Sequence, residues 1–163
     1  MSQFSWIDRP VPAELGAVAH GPKILAEASG FTVGLRYIVA YRLVLDLAIV
    51  VSAHGPESAV LASQFTSQRA QPGEPLTSAR RKVGGLTAWL VSPELPMTLR
   101  GSNRNPHTVD GHYMHEFSYA IDGRPSEQSL EIELRWDDIG VGPLRTVVNL
   151  PPAAELDASI IRL

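Results

Sequence analysis

Between Leu130 and Leu150 the chain reads LEIELRWDDIGVGPLRTVVNL, and its opening residues alternate without a break. Leu130, Ile132, Leu134 and Trp136 interleave with Glu131, Glu133 and Arg135, a period of two that sends every apolar side chain to one face and every charge to the other. A helix would scatter the same residues around its circumference, so a half-buried strand is expected from Leu130 to Trp136. Asp137, Asp138, Gly140 and Gly142 then supply turn formers, and Pro143 fixes φ before a second alternation begins. Leu144, Thr146, Val148 and Leu150 form its expected inner face, until Pro151 and Pro152 remove two backbone donors and end the pairing. The stretch predicts two strands joined at a corner, with a helix behind them.

The same logic extends upstream. Residues 1–12 are irregular, with Phe4, Trp6 and Ile7 apolar enough to pin an arm onto the body. Two short strands are expected between Ala13 and Ala28, parted by Gly21-Pro22. Phe31, Val33, Leu35, Tyr37 and Val39 then recur at spacing two in a firmer strand. Arg42 to Ala53 is rich in Leu, Ile and Val on both parities, the pattern of a central strand covered on both faces, with Asp46 as the exception that needs a partner or an exposed position. Pro56 and Glu57 open a short helix through Gln64 that would cap one end of the fold. Thr66 to Arg81 is a polar surface loop, and strands follow over Leu86 to Val91 and Met97 to Arg100. After a second loop, Gly101 to Gly111, the strand His112 to Ile121 carries Tyr113, His115, Phe117, Tyr119 and Ile121 on one face, with Asp122-Gly123 signalling a hairpin. Leu156, Ile160 and Leu163 lie at helical spacing in a C-terminal segment, Pro152 to Leu163. No internal repeat or composition break divides the chain. The expectation is one all-β domain, an antiparallel β-sandwich of about eight or nine strands with one or two short helices.

The order of a charged alternating strand ending in Trp136, then Asp137-Asp138-Ile139-Gly140, a second strand and a short Ala/Leu/Ile-rich C-terminal segment resembles a family of uncharacterised β-sandwich proteins from actinobacteria. The resemblance covers chiefly Leu130 to Leu163, with a vaguer counterpart in the strand pair from Phe31 to Ala53. It implies a sandwich fold and brings no activity with it. Where that family carries a proline and an acidic residue after the turn, this chain has Gly142-Pro143-Leu144.

Composition narrows the function. Apolar residues are 44% and charged residues 19% of 163, enough apolar surface for one core. A net charge of −3 offers no long-range attraction to nucleic acid or an anionic membrane. No cysteine is present, which excludes thiolate metal sites and cysteine nucleophiles. The N-terminus lacks the basic and apolar regions of a secretory signal, and the apolar stretch Ile38 to Val51 is too short for a membrane helix, so a cytoplasmic protein is expected.

Chemistry-bearing residues concentrate in one place: His107, Asp110, His112, His115 and Glu116. Imidazole and carboxylate together suit a divalent metal such as zinc or non-haem iron. On a strand His112 and His115 face opposite sides, and His112 and Glu116 stand about 13 Å apart at roughly 3.3 Å per residue. A trio of His107, Asp110 and His112 is therefore the only arrangement that could close on one ion, with the loop folding back. No G-x-S-x-G elbow, P-loop or dinucleotide fingerprint occurs. Arg80-Arg81-Lys82 and Arg100 with Arg104 form local basic spots best explained as solvated loop charge. Trp89, Tyr113 and Tyr119 could make an aromatic platform for a sugar or peptide, although core packing is the commoner fate of aromatics at strand spacing. The balance favours a non-catalytic interaction or assembly module, self-associating or bound to a protein partner; the alternatives are a metal or small-ligand site on residues 101–116 and carbohydrate or peptide binding on an aromatic face.

Overall fold

The computed structural model describes residues 13–28, 30–67, 86–102, 107–109, 111–137 and 140–163. The expected N-terminal arm, most of the polar loop after Thr66, and Asp110 lie outside these residues.

The alternating stretch folds as its pattern dictates over Leu130 to Trp136, whereas Leu144, expected on the inner face of the second strand, is exposed. Strand β10 (Ser129–Trp136) pairs antiparallel with β11 (Val141–Asn149), in a register that sets Leu134 opposite Leu144 and Leu130 opposite Val148. Leu130, Ile132, Leu134 and Trp136 are fully buried. On the outer face Arg145 Nε donates to Glu133 Oε2 at 2.6 Å, which together with the neighbouring strand leaves Glu133 largely covered. The turn between the strands depends on Gly142, whose φ is 108° and where a Cβ would lie 2.8 Å from the Leu134 carbonyl oxygen. β6 (Thr87–Ser92) joins the other edge of β10, completing a three-stranded sheet in the order β11-β10-β6.

The second layer is larger. β4 (Phe31–Ala40), β5 (Val44–His54) and β9 (His112–Asp122) form its centre. β2 (Ala17–His20) and β3 (Lys23–Ala28) share the outer edge of β4, while β7 (Met97–Ser102) and β8 (His107–Val109) share that of β9. β5 is central, as expected, and it is fully covered on its inner side but only partly on its outer one, where Ala48 alone is buried. Leu45, Leu47, Ile49, Val51 and Ala53 are buried between the layers, whereas Asp46, Val50 and Ser52 on the other side are only half-buried. Tyr113, Phe117, Tyr119 and Ile121 of β9 complete the core beside them.

Where the layers meet at their rims, β6 runs on to β7 through Pro93 and Pro96, and β3 approaches β11, with Lys23 Nζ donating to the Val147 carbonyl at 2.7 Å. Main-chain pairing links neither rim among the described residues, so the sheets form a sandwich rather than a closed barrel. The strands beyond the nine read from the sequence are short pieces: β1 (Glu14–Leu15), β8, and β12 (Ile161–Arg162). β8 occupies part of the segment expected to be loop.

The helix α1 (Pro56–Ser67) continues past Gln64, packs on the ends of β5 and β9, and buries Leu61. The C-terminal segment departs from expectation. Helix α2 (Ala153–Ser159) buries Leu156, but Ile160 turns extended, with φ −78° and ψ 126°, and the chain pairs with β1 instead of continuing as helix. Leu163 is consequently 80% exposed rather than packed beside Leu156. No helix of the described residues is long and apolar enough to cross a membrane.

Candidate functional site

Of the expected metal trio, His107 and His112 lie on paired strands, and Asp110 lies outside the described residues. Pairing of β8 with β9 fixes His107 opposite Met114, and His112 stands opposite His54 on β5. The rings of His112 and His54 stack, with centroids 4.2 Å apart and 17° between planes, and His112 Nε2 lies 3.2 Å from Ser52 Oγ. Stacked imidazoles hold their in-plane nitrogens in parallel planes instead of turning them toward a shared point. His115, on the opposite face as strand geometry requires, is 4% exposed inside the core, with its ring 4.5 Å from that of Phe117 and Nδ1 3.4 Å from the Tyr113 hydroxyl. Burial pushes its pKa down to about 4, so it is neutral at neutral pH. Glu116 pairs with Arg36 at 2.9 Å. No group of three His, Asp or Glu residues able to hold a metal ion occurs among the described residues.

The three aromatics of the expected platform do not share one exposed face. Tyr113 and Tyr119 are buried in the core, where burial raises both phenol pKa values and keeps them protonated. Trp89 is half-buried on the other sheet, opposite Glu133.

What the fold does build is a polar surface on the outer face of the large sheet, and two β-bulges shape it. In β4 the register against β5 shifts between Leu35 and Tyr37, so Arg36 is the extra residue. A one-residue slip exchanges faces for everything after it. Phe31, Val33 and Leu35 point inward as expected, but the next inward residues are Ile38 and Ala40, while Arg36 and Tyr37 are both exposed. This corrects the uniform alternation expected through Tyr37 and Val39. A second bulge, in β7 between Leu99 and Gly101, re-aims Arg100. Its Nη1 donates to Asp46 Oδ1 at 3.0 Å and to Oδ2 at 3.1 Å. Asp46 thus has the partner that its strand position demands, and Arg100 is not the free loop charge expected.

Between the bulges lies a depression of about 230 Å³, lined by Tyr37, Asp46, Arg100 and Ser118, where the backbone at Leu47 and Tyr119 forms the floor. Tyr41 stands beside it; burial, then the negative charge of Asp46, raise its phenol pKa above the ordinary value. The ion pairs, the histidine stack and the depression were hidden in the sequence because each joins residues more than fifty positions apart. One signal was available: the parity of buried apolar residues in β4 switches from odd to even after Leu35.

A second feature lies at the ribbon β1·β12. Leu15 and Ile161 are paired across it, and the Leu163 amide donates to the Ala13 carbonyl at 3.1 Å. Leu15 is 53% exposed and Ile161 58%. With Leu163 they form an apolar row beside a strand edge that pairs with nothing further among the described residues.

No protein-family model matches the chain, and neither a curated protein nor a solved structure shows significant similarity to it.

Proposed function

We propose that the protein is a non-catalytic assembly module that associates with a second copy of itself through the β1·β12 ribbon. One observation carries the reading: the row Leu15, Ile161 and Leu163 is exposed beside a strand edge that no further strand of the described residues pairs. Natural sheets blunt exposed edges with charge, proline or a covering element, and an uncovered apolar edge is a template for pairing. A second copy fits this edge because a two-fold axis sets the row against itself, apolar against apolar, while the intervening Arg162 belongs to the opposite face of the strand.

Size decides the strength. Fully burying a Leu or Ile is worth about 1.5–3 kcal/mol, so these three partly exposed side chains represent about 4 kcal/mol per copy. Set against an association cost of at least about 4 kcal/mol, that supports a weak dimer in exchange with monomer. Sedimentation equilibrium tests it: the mass should rise from monomer toward dimer with concentration, and Ile161→Lys should hold the chain monomeric without changing its melting temperature. A wild-type chain that stays monomeric at every concentration would refute the proposal. If replacing Phe4, Trp6 and Ile7 then altered the exposure of Ile161, the occupant would be the N-terminal segment instead.

A further inference from the structure

We infer that the depression between the two bulges binds a small, neutral, polyhydroxylated ligand, the class to which free sugars and cyclitols belong. The inference does not depend on self-association, because the ribbon and the depression involve different residues.

Charge sets the class. Asp46 and Arg100 neutralise each other within the site, so neither is left over to select a ligand of opposite sign. Their hydrogen-bonding capacity is far from used. Among the described residues both contacts come from a single guanidinium nitrogen, which leaves Nη2 and Nε of Arg100 as donors, and a carboxylate with about four lone-pair sites has accepted two bonds. Acceptor and donor therefore lie side by side, as a pair of neighbouring hydroxyls on a ring requires. Ser118 and Tyr37 add two further hydroxyls.

Geometry agrees. The side chains of Asp46 and Arg100 are about one-quarter and one-third exposed, so a ligand can reach them while the surrounding protein excludes part of the water. Tyr37, turned outward by the first bulge and 37% exposed as a residue, offers an aromatic surface against which the C–H face of a sugar can lie. The second bulge supplies Arg100. Bulges cost ladder hydrogen bonds and are found next to sites where a side chain must be re-aimed, and here two of them, on different strands, serve one depression. At about 230 Å³ the space is below the roughly 300 Å³ of drug-sized pockets, room for a single small ring. A ligand of that size in an open depression binds weakly, with Kd on the order of millimolar.

The test is a titration of the isotopically labelled chain, followed by amide NMR shifts, with D-glucose, D-galactose, D-mannose, N-acetyl-D-glucosamine and myo-inositol. Glucuronate, glucosamine and inorganic phosphate serve as charged probes. At least one neutral probe should give saturable shifts centred on Tyr37, Asp46 and Ser118. Affinity should fall at least tenfold in Asp46→Asn, which removes an acceptor, and in Ser118→Leu, which fills the space; a thermal melt checks that each variant folds. Should Ser118→Leu fail to fold, Asp46→Asn and Tyr37→Ala carry the comparison. The inference is overturned if no neutral probe gives saturable shifts, if the shifts persist in the folded variants, or if a charged probe binds tighter than every neutral one.

Discussion

His115 makes the stability of this protein depend on pH in a way that can be calculated in advance. In the unfolded chain its imidazole titrates near the ordinary value of 6.5, whereas in the core burial lowers the pKa to about 4. Between these values the unfolded state binds a proton that the native state does not. Stability therefore rises with pH across that window and falls as the pH drops from 6.5 toward 4. Each pH unit is worth about 1.36 kcal/mol, so by pH 5 the loss is about 2 kcal/mol, a large share of the 5–15 kcal/mol typical of a whole domain. Paired carboxylates add their own acid sensitivity, so the contribution of His115 must be isolated by difference. The variant His115→Leu keeps an apolar side chain against Phe117 and removes the titration. Urea unfolding of both proteins at a series of pH values between 7.5 and 5, followed by tryptophan fluorescence, gives the difference in unfolding free energy. That difference should shift by about 2 kcal/mol in favour of the variant as the pH falls to 5. Parallel stability curves would show that His115 is protonated as easily in the native state as in the unfolded one, and the argument from burial would fail.

Other expectations concern single positions. Gly142→Ala should cost more than about 2 kcal/mol in a chemical melt, since a side chain there meets both a left-handed φ and the Leu134 carbonyl. Leu134→Ala, in the fully buried row of β10, should cost about 2–5 kcal/mol, while Glu131→Ala on the outer face of the same strand should cost less than about 1 kcal/mol. Adding zinc to metal-stripped protein should leave its melting temperature unchanged, with the same result for His112→Ala. A zinc-dependent rise abolished by that variant would establish a metal site involving His112.

The sequence was most legible where one periodicity ran uninterrupted. Leu130, Ile132, Leu134 and Trp136 fall on the face that their alternation assigns, and so do Tyr113, His115 and Phe117 of β9. In both strands the pleat decides which apolar side chains form the inner row, while the outer residue Glu133 is covered only with the help of Arg145. Legibility declined where the backbone choice was nearly balanced. Leu156, Ile160 and Leu163 fit a helix, yet extending from Ile160 lets Ile161 and Arg162 pair with β1, and this tertiary pairing outweighs a helix too short to be stable alone. In Arg42 to Ala53, apolar residues on both parities suggested burial on both faces; on the outer face Ala48 is fully buried but Val50 is only half-buried, and Arg36 reaches across this strand to Glu116, two strands away.

The candidate site was illegible for a different reason. Its chemistry does not reside in a motif but in the order β4-β5-β9-β7, which sets Asp46 beside Arg100 and His54 opposite His112. Local spacing within the His107 to Glu116 cluster pointed to proximity in the chain, whereas the fold takes three of its members, His112, His115 and Glu116, to different surroundings. His112 goes to His54, Glu116 to Arg36, and His115 into the core. Strand order alone would still not make the depression. Without the bulge at Arg36, Tyr37 would continue the inward row begun by Phe31, and Ile38 would take the outer face. The apolar parity of β4 changes at that point, so the sequence does record the insertion, though not the ligand-sized space that the insertion opens once a second bulge on β7 brings Arg100 across from it.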